Sequence, residues 1–251
     1  MANLSDHISD EQRAQLERIA ADQHQQQVAV QKKDRGAMLK DILKRRKKAG
    51  RVSDDGWLRW HCDDADVLLM HGLAQRLGDR AQWLTEYDDV ADWLSDNQGK
   101  GLMCIGDCGR GKSLLTCDVI PMIFSHGYVI GSDGQRLAAP FITTAKQLRQ
   151  TFKEALRHRI IVIDEVGQEG VVNEFGEKHD YFADLVLEAE RQRKTIILST
   201  NLNYEQLFGG DVTMTDGSVR HIDGRYNDER IIDRLTANTR RVFFEGESLR
   251  G

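Results

Sequence analysis

The chain has 251 residues, 40% of them hydrophobic, enough for one large domain with an extension. Its formal net charge of −5 argues against a general polyanion binder, and no apolar run approaches the roughly 18 residues of a membrane span. The four cysteines, Cys62, Cys104, Cys108 and Cys117, contain no C-x-x-C pair. That argues against a zinc site and fits reduced thiols in a cytoplasmic protein. The first residues, Met-Ala-Asn-Leu-Ser-Asp-His, lack a basic-then-apolar signal pattern.

Charge is unevenly spread. Residues 31–51 hold ten Lys/Arg against two Asp, whereas 52–100 hold eleven acids against four bases. Residues 1–50 read as a helical, basic arm. Ser9-x-x-Gln12 fits a capping box, and Met38, Leu39, Ile42 and Leu43 form an apolar stripe among lysines and arginines. Such an arm suits a partner protein, a nucleic acid or a membrane surface. Residues 51–82 read as a linker and a helical segment. Val67, Leu68, Met70, Leu73 and Leu77 mark one helix, and Tyr87, Val90, Ala91 and Leu94 mark the next. Trp57, Trp60, Trp83 and Trp93 fall in this region and read as core filler.

Gly101-Leu102-Met103-Cys104-Ile105 is a short apolar run, read as a buried strand. Gly106-Asp107-Cys108-Gly109-Arg110-Gly111-Lys112-Ser113 follows and fits G-x-x-x-x-G-K-S/T. Leu114, Leu115, Val119 and Ile120 then recur with helical spacing. Glycines let backbone N–H groups turn inward as an anion nest, and the helix start adds partial positive charge. Residues 106–114 are therefore the expected phosphate-binding segment. Lys112 is expected at the β- and γ-phosphates, and Ser113 at Mg²⁺.

Pro121 is expected to bend or end this helix near Ile120. Asp133-Gly134 lies between alternating residues and signals a hairpin over 128–137, in which Tyr128 and Arg136 are candidates for DNA contact. Phe141-Ile142-Thr143 reads as a strand, with Thr144 capping the helix after it. In Ile160-Ile161-Val162-Ile163-Asp164-Glu165, the apolar run implies a strand buried on both faces. Its two carboxylates then emerge at the carboxyl end, where open α/β sheets bind ligands. Asp164 suits the Mg²⁺ shell and Glu165 suits a base acting on water.

Residues 166–178 read as a glycine-containing loop, and a helix follows from Tyr181. Thr195-Ile196-Ile197-Leu198-Ser199-Thr200-Asn201 is another buried strand, which places Asn201 beside Glu165. A second hairpin signal surrounds Asp216-Gly217. The helix from Glu229 carries Arg230 and Arg234 one turn apart on one face. Residues 241–245 form a last strand.

The ordered set G-D-C-G-R-G-K-S, I-I-V-I-D-E, I-I-L-S-T-N, D-E-R-I-I-D-R-L and F-E-G-E-S-L-R resembles AAA+ ATPases of the DnaC-type helicase-loader and IstB-type group. The resemblance covers residues 83–251. It implies a P-loop NTPase fold of five parallel strands flanked by helices, without a C-terminal lid and with the N-terminal arm in front. It also implies slow ATP hydrolysis with Mg²⁺, with Asn201 as sensor residue. Arg234, with Arg230 beside it, would be supplied to a neighbouring subunit of an ATP-dependent oligomer. The implied partners are single-stranded DNA and a DnaB-type replicative helicase gripped by the arm. The alternative within the group is an IstB-like transposition helper acting on duplex DNA. Arg110 stands where the group usually has threonine, and Tyr226-Asn227-Asp228 where a glycine is common.

Overall fold

The computed structural model describes residues 55–169, 172–174, 177–214 and 217–249. The arm expected over residues 1–50 lies outside them. The chain divides into two compact units, and the described residues belong to the unit Ala49–Gly251.

In chain order the elements are β1 (Trp60–His61), α1 (Ala65–Leu77), α2 (Glu86–Ser95) and β2 (Gly101–Gly106). A helix then runs over 112–125, of which Leu114–Val119 is π-helical and α3 (Ile120–Ser125) is regular. There follow β3 (Ile130–Gly131), β4 (Phe141–Thr144), α4 (Leu148–Ala155), β5 (Ile160–Asp164), β6 (Val172–Glu174) and β7 (Glu177–His179). The last are α5 (Tyr181–Arg191), β8 (Thr195–Thr200), α6 (Tyr204–Phe208), β9 (Gly210–Thr213), β10 (Val219–Ile222), α7 (Glu229–Asn238) and β11 (Thr239–Phe244).

The central sheet has five strands in the order β11-β2-β8-β5-β4, and every pairing is parallel. Parallel strands need both faces covered, which is why β2, β5 and β8 read as nearly unbroken apolar runs. Alternation divides those runs between two cores. Leu102, Cys104, Val162 and Ile197 face α1, α2 and the helix after the loop. Met103, Ile105, Ile161, Ile163 and Leu198 face α4, α5, α6 and α7. β2 lies so close to β8 that a Cβ on Gly101 would come within 1.9 Å of Ile196 O.

Residues 58–77 pack in the same core as the sheet. Trp60 meets Trp93 and Phe124 edge-on at 5.2 and 5.3 Å. Buried Asn97 accepts from Trp60 N and donates to Leu58 O, both at 2.9 Å, fixing this segment to the turn before β2. α1 crosses the loop-following helix closely. A Cβ on Gly72 would stand 2.6 Å from Val119 Cγ1 and 2.8 Å from Met122 Cε.

Three local expectations are revised. Pro121 does not end its helix: it sits at the start of α3, after a π segment in which Ile120 N bonds Leu115 O. The wider turns already depart from the α ladder, so the proline's missing N–H falls where the hydrogen-bond pattern changes. The Asp133-Gly134 turn forms, with Gly134 N donating to Gly131 O at 2.8 Å, but a single bridge, Ile130 to Arg136, closes it. β3 pairs antiparallel with β1, a partner 70 residues earlier that local pattern does not reveal. The loop after Glu165 contains the antiparallel pair β6–β7. The second hairpin signal corresponds to β9–β10.

Among the described residues no helix is long and apolar enough to cross a membrane.

Candidate nucleotide site

Parallel pairing brings the carboxyl ends of β2, β5 and β8 together. Ile105 stands opposite Thr200, and Ile163 opposite Leu198. The residues that follow, Gly106 onward, Asp164-Glu165 and Asn201, therefore converge at one edge. They border a cavity of about 370 Å³, lined by Gly109, Gly111, Lys112, Ser113, Glu165 and Asn201 with others.

The loop 106–111 is shaped by glycines. Gly106, Gly109 and Gly111 have φ of 126°, 83° and 86°, values that side chains with a Cβ rarely adopt. Among the described residues, the backbone N–H groups of Cys108, Gly109, Arg110 and Gly111 donate to no other group of the chain. Four free amides at a helix start form an anion receptor. Lys112 is 4% exposed, and its ammonium donates to Gly106 O at 2.8 Å and to Asp107 O at 2.5 Å. Burial pushes its pKa below the usual lysine value, while nearby Cys104, Cys108, Asp107 and Asp164 oppose the shift. A buried ammonium held only by carbonyls favours an arriving anion.

Ser113 Oγ donates to Asp164 Oδ1 at 2.9 Å, and Ser199 Oγ donates to the same oxygen in a very short contact. A hydroxyl and a carboxylate side by side, beside an anion receptor, are the oxygen donors Mg²⁺ takes when phosphates and water complete its shell. Among the described residues no group of three or more His, Cys, Asp and Glu could hold a metal alone, which fits that shared arrangement.

Glu165 adopts φ of 56°, the left-handed region, at a cost of about 1–2 kcal/mol. The loop after it is pinned on both sides. Val166 N donates to Ser199 O at 2.9 Å, Thr200 Oγ1 donates to Val166 O at 2.7 Å, and Gly167 N donates to Glu169 Oε2 at 2.8 Å. Strain held this firmly beside a cavity marks a functional position. Cys104 and Cys117 lie under the loop, and burial raises both thiols, Cys117 to about 12. They are inert filler rather than nucleophiles.

The structure does not bring Arg230 and Arg234 to this cavity. Arg230 is tied to Asp228 at 2.7 Å, and Arg234 Nε lies 2.5 Å from Glu190 Oε2 on α5. Tyr128 stacks on His126, and Arg136 packs its side chain against Gly127. The sequence reading missed Leu77, Arg80, Gln82, Tyr87 and Leu249 in the cavity wall. It also missed Ser199 on Asp164. The unusual Arg110 was the one available signal: its guanidinium reaches Glu86 Oε1 at 2.7 Å.

Sheet order and loop together make this a P-loop NTPase fold of the AAA+ arrangement. The family model described as nephrocystin 3, N-terminal, matches residues 79–198, a little under half of the chain. No curated protein matches the sequence. Among solved structures, the chain is similar to AMPPCP-bound DnaA from Aquifex aeolicus (17% identity, TM-score 0.39, 65% of this chain and 47% of that one). The chain thus spans about half the length of that DnaA. It is also similar to DnaI (16% identity, TM-score 0.39, 82% of this chain and 94% of that one).

Proposed function

We propose that this chain is an ATP- and Mg²⁺-dependent ATPase of the DnaC-type helicase-loader group, assembling on single-stranded DNA with a DnaB-type replicative helicase. One observation carries the ATPase part: Lys112, the Ser113–Asp164 pair, Glu165 and Asn201 border one cavity whose loop amides are free. The order of the sequence motifs supports the placement among loaders.

Binding follows from those groups. The free amides of 108–111 receive phosphate oxygens, and the Lys112 ammonium exchanges its two carbonyls for the β- and γ-phosphates. Ser113 and Asp164 would hold Mg²⁺, which supplies neutralisation of phosphate charge. Glu165 accepts a proton from the attacking water, and Asn201 orients that water or the γ-phosphate. Arg234 serves a neighbouring subunit's nucleotide once it leaves Glu190.

The test is titration of labelled ATP with Mg²⁺ into the full chain and its Lys112→Ala variant. Wild type should bind, and the variant should lose tight binding while unfolding at an unchanged temperature. Equal affinity in the two proteins would sink the assignment. DNA polarity of action is read in the same preparation by adding single-stranded or duplex DNA. Stimulation by duplex alone would favour a transposition helper instead.

A further inference from the structure

After β11 the chain turns back along the outside of the phosphate loop. Asp107 N donates to Phe244 O at 2.9 Å, and Gly246 N donates to Asp107 Oδ2 at 3.2 Å. Arg110 Nη1 donates to Glu247 O at 3.2 Å, and Leu249 N donates to Gly109 O at 3.0 Å. At Gly109 the Ser248 Oγ occupies the place a Cβ would take, 2.1 Å away. Residues 245–249 therefore lie along residues 107–110 like a strap.

Every one of these contacts uses an outward group of the loop, or the one amide, that of Asp107, below the nest. The amides of 108–111 stay free. The strap fixes the loop's curvature without competing for its ligand. Arg110 extends the restraint to the other side. Its second nitrogen meets Glu86 at 2.7 Å in a pair whose side chains are 13% and 8% exposed. Glu86 opens α2, whose next residue, Tyr87, places its hydroxyl 2.8 Å from a Cβ position on Gly111. One guanidinium thus joins α2, the loop and the strap.

The strap also delivers Leu249 to the cavity. Leu249 is 42% exposed there and shares the wall with Leu77, Tyr87 and Leu114. This apolar wall lies beside the phosphate receptor, where the rest of a nucleotide must lie. A half-exposed leucine in a cavity has apolar surface still to bury, which a flat base would cover.

We propose that the strap 245–249 is a working part of the nucleotide site. Through Arg110 and Gly109 it positions the phosphate loop, and through Leu249 it contacts the nucleoside. This rests on the nucleotide-binding reading above. Arg110 is a positioning residue, and Leu249 is a specificity residue.

The experiment titrates ATP and inorganic tripolyphosphate separately into the full chain. Leu249→Ala should bind ATP about tenfold more weakly, a loss of about 1.4 kcal/mol. Its tripolyphosphate affinity should stay unchanged, and Leu249→Met should restore ATP binding. Arg110→Ala should weaken both ligands by a similar factor. Leu249 is too exposed for its truncation to unfold the protein, so that variant reads binding alone. If Leu249→Ala and Arg110→Ala bind both ligands as wild type does, while Lys112→Ala binds neither, the strap proposal is overturned and the nucleotide site stands. Wild type binding neither ligand would overturn both.

Discussion

Ser113 and Asp164 meet through a 2.9 Å hydrogen bond that joins the end of the phosphate loop to the end of β5. They are 51 residues apart, and the parallel register of β2, β8 and β5 makes them neighbours. The carboxylate oxygen they share also takes the hydroxyl of Ser199, so it is oriented from two strands before any cation arrives.

Ser199→Ala removes one of those two restraints and touches neither phosphate nor water. The Mg²⁺ concentration for half-maximal ATP turnover should rise by about 10- to 100-fold, the usual cost of losing a group that orients a metal ligand. ATP affinity without Mg²⁺ should be unaffected. An unchanged Mg²⁺ requirement in the titration would show that Ser113 alone orients Asp164.

Glu165→Gln keeps side-chain volume and loses the base. Turnover should fall roughly 10²–10⁴-fold, with ATP–Mg²⁺ binding retained. Normal turnover in a phosphate-release assay would place the base elsewhere.

The arginine pair on α7 calls for a mixing experiment. Arg234→Ala and Lys112→Ala should each be inactive alone, one lacking the finger and the other the nucleotide. Mixed, some interfaces pair an intact loop with an intact Arg234, so part of the activity should return. An arginine of this kind contributes about 10³–10⁵ in rate in other phosphate-loop enzymes. No recovery at any ratio, with co-assembly seen by sizing, would mean that Arg234 stays on Glu190 and serves its own chain.

Glu169 gives a pH test. Burial raises its carboxyl, opposed by backbone hydrogen bonds and by Arg225 at 3.8 Å, and Asp180 adds to the rise. The folded state therefore holds this proton more tightly than the unfolded chain. The stability so gained is complete below the unfolded value of about 4.3 and is lost as pH rises through the higher folded value. Glu169→Gln should match wild type near pH 4 and be more stable above that window, with the gap opening as pH rises. Thermal melts in which the variant becomes the less stable protein at high pH would contradict this.

Gly72→Ala tests the packing of α1. With Val119 and Met122 inside 3 Å of the new Cβ, overpacking should cost about 1–3 kcal/mol in a denaturant titration. Met122 is flexible and sets the lower limit, whereas β-branched Val119 cannot yield as easily.

The legible parts of this site were contiguous. The phosphate loop is eight residues in a row, and Asp164-Glu165 ends an apolar run that only a doubly covered strand explains. Asn201 follows for the same reason. What the sequence hid depends on distance along the chain. Leu249 and Tyr87 meet in one wall, yet nothing in their neighbourhoods says so. Arg110 looked like a departure from pattern, and its reason, Glu86 on one side and Glu247 O on the other, lies 24 and 137 residues away. β1 and β3 are two residues each, too short to carry a period.

The π segment Leu114–Val119 makes the helix after the loop sensitive to the number of its residues as well as to their kind. Its turns hold more residues than an α turn, so the side chains downstream are set by one surplus position. Deleting a single residue there would restore the regular ladder and rotate all that follows by about 100°, one residue's step in a 3.6-residue turn. Ile123 and Phe124 would swing away from Trp60, and the loop would lose the buried helix that holds its far end. A one-residue deletion between Leu114 and Val119 should thus be far worse tolerated than any conservative replacement in the same stretch, so that here the count of residues matters more than their identity.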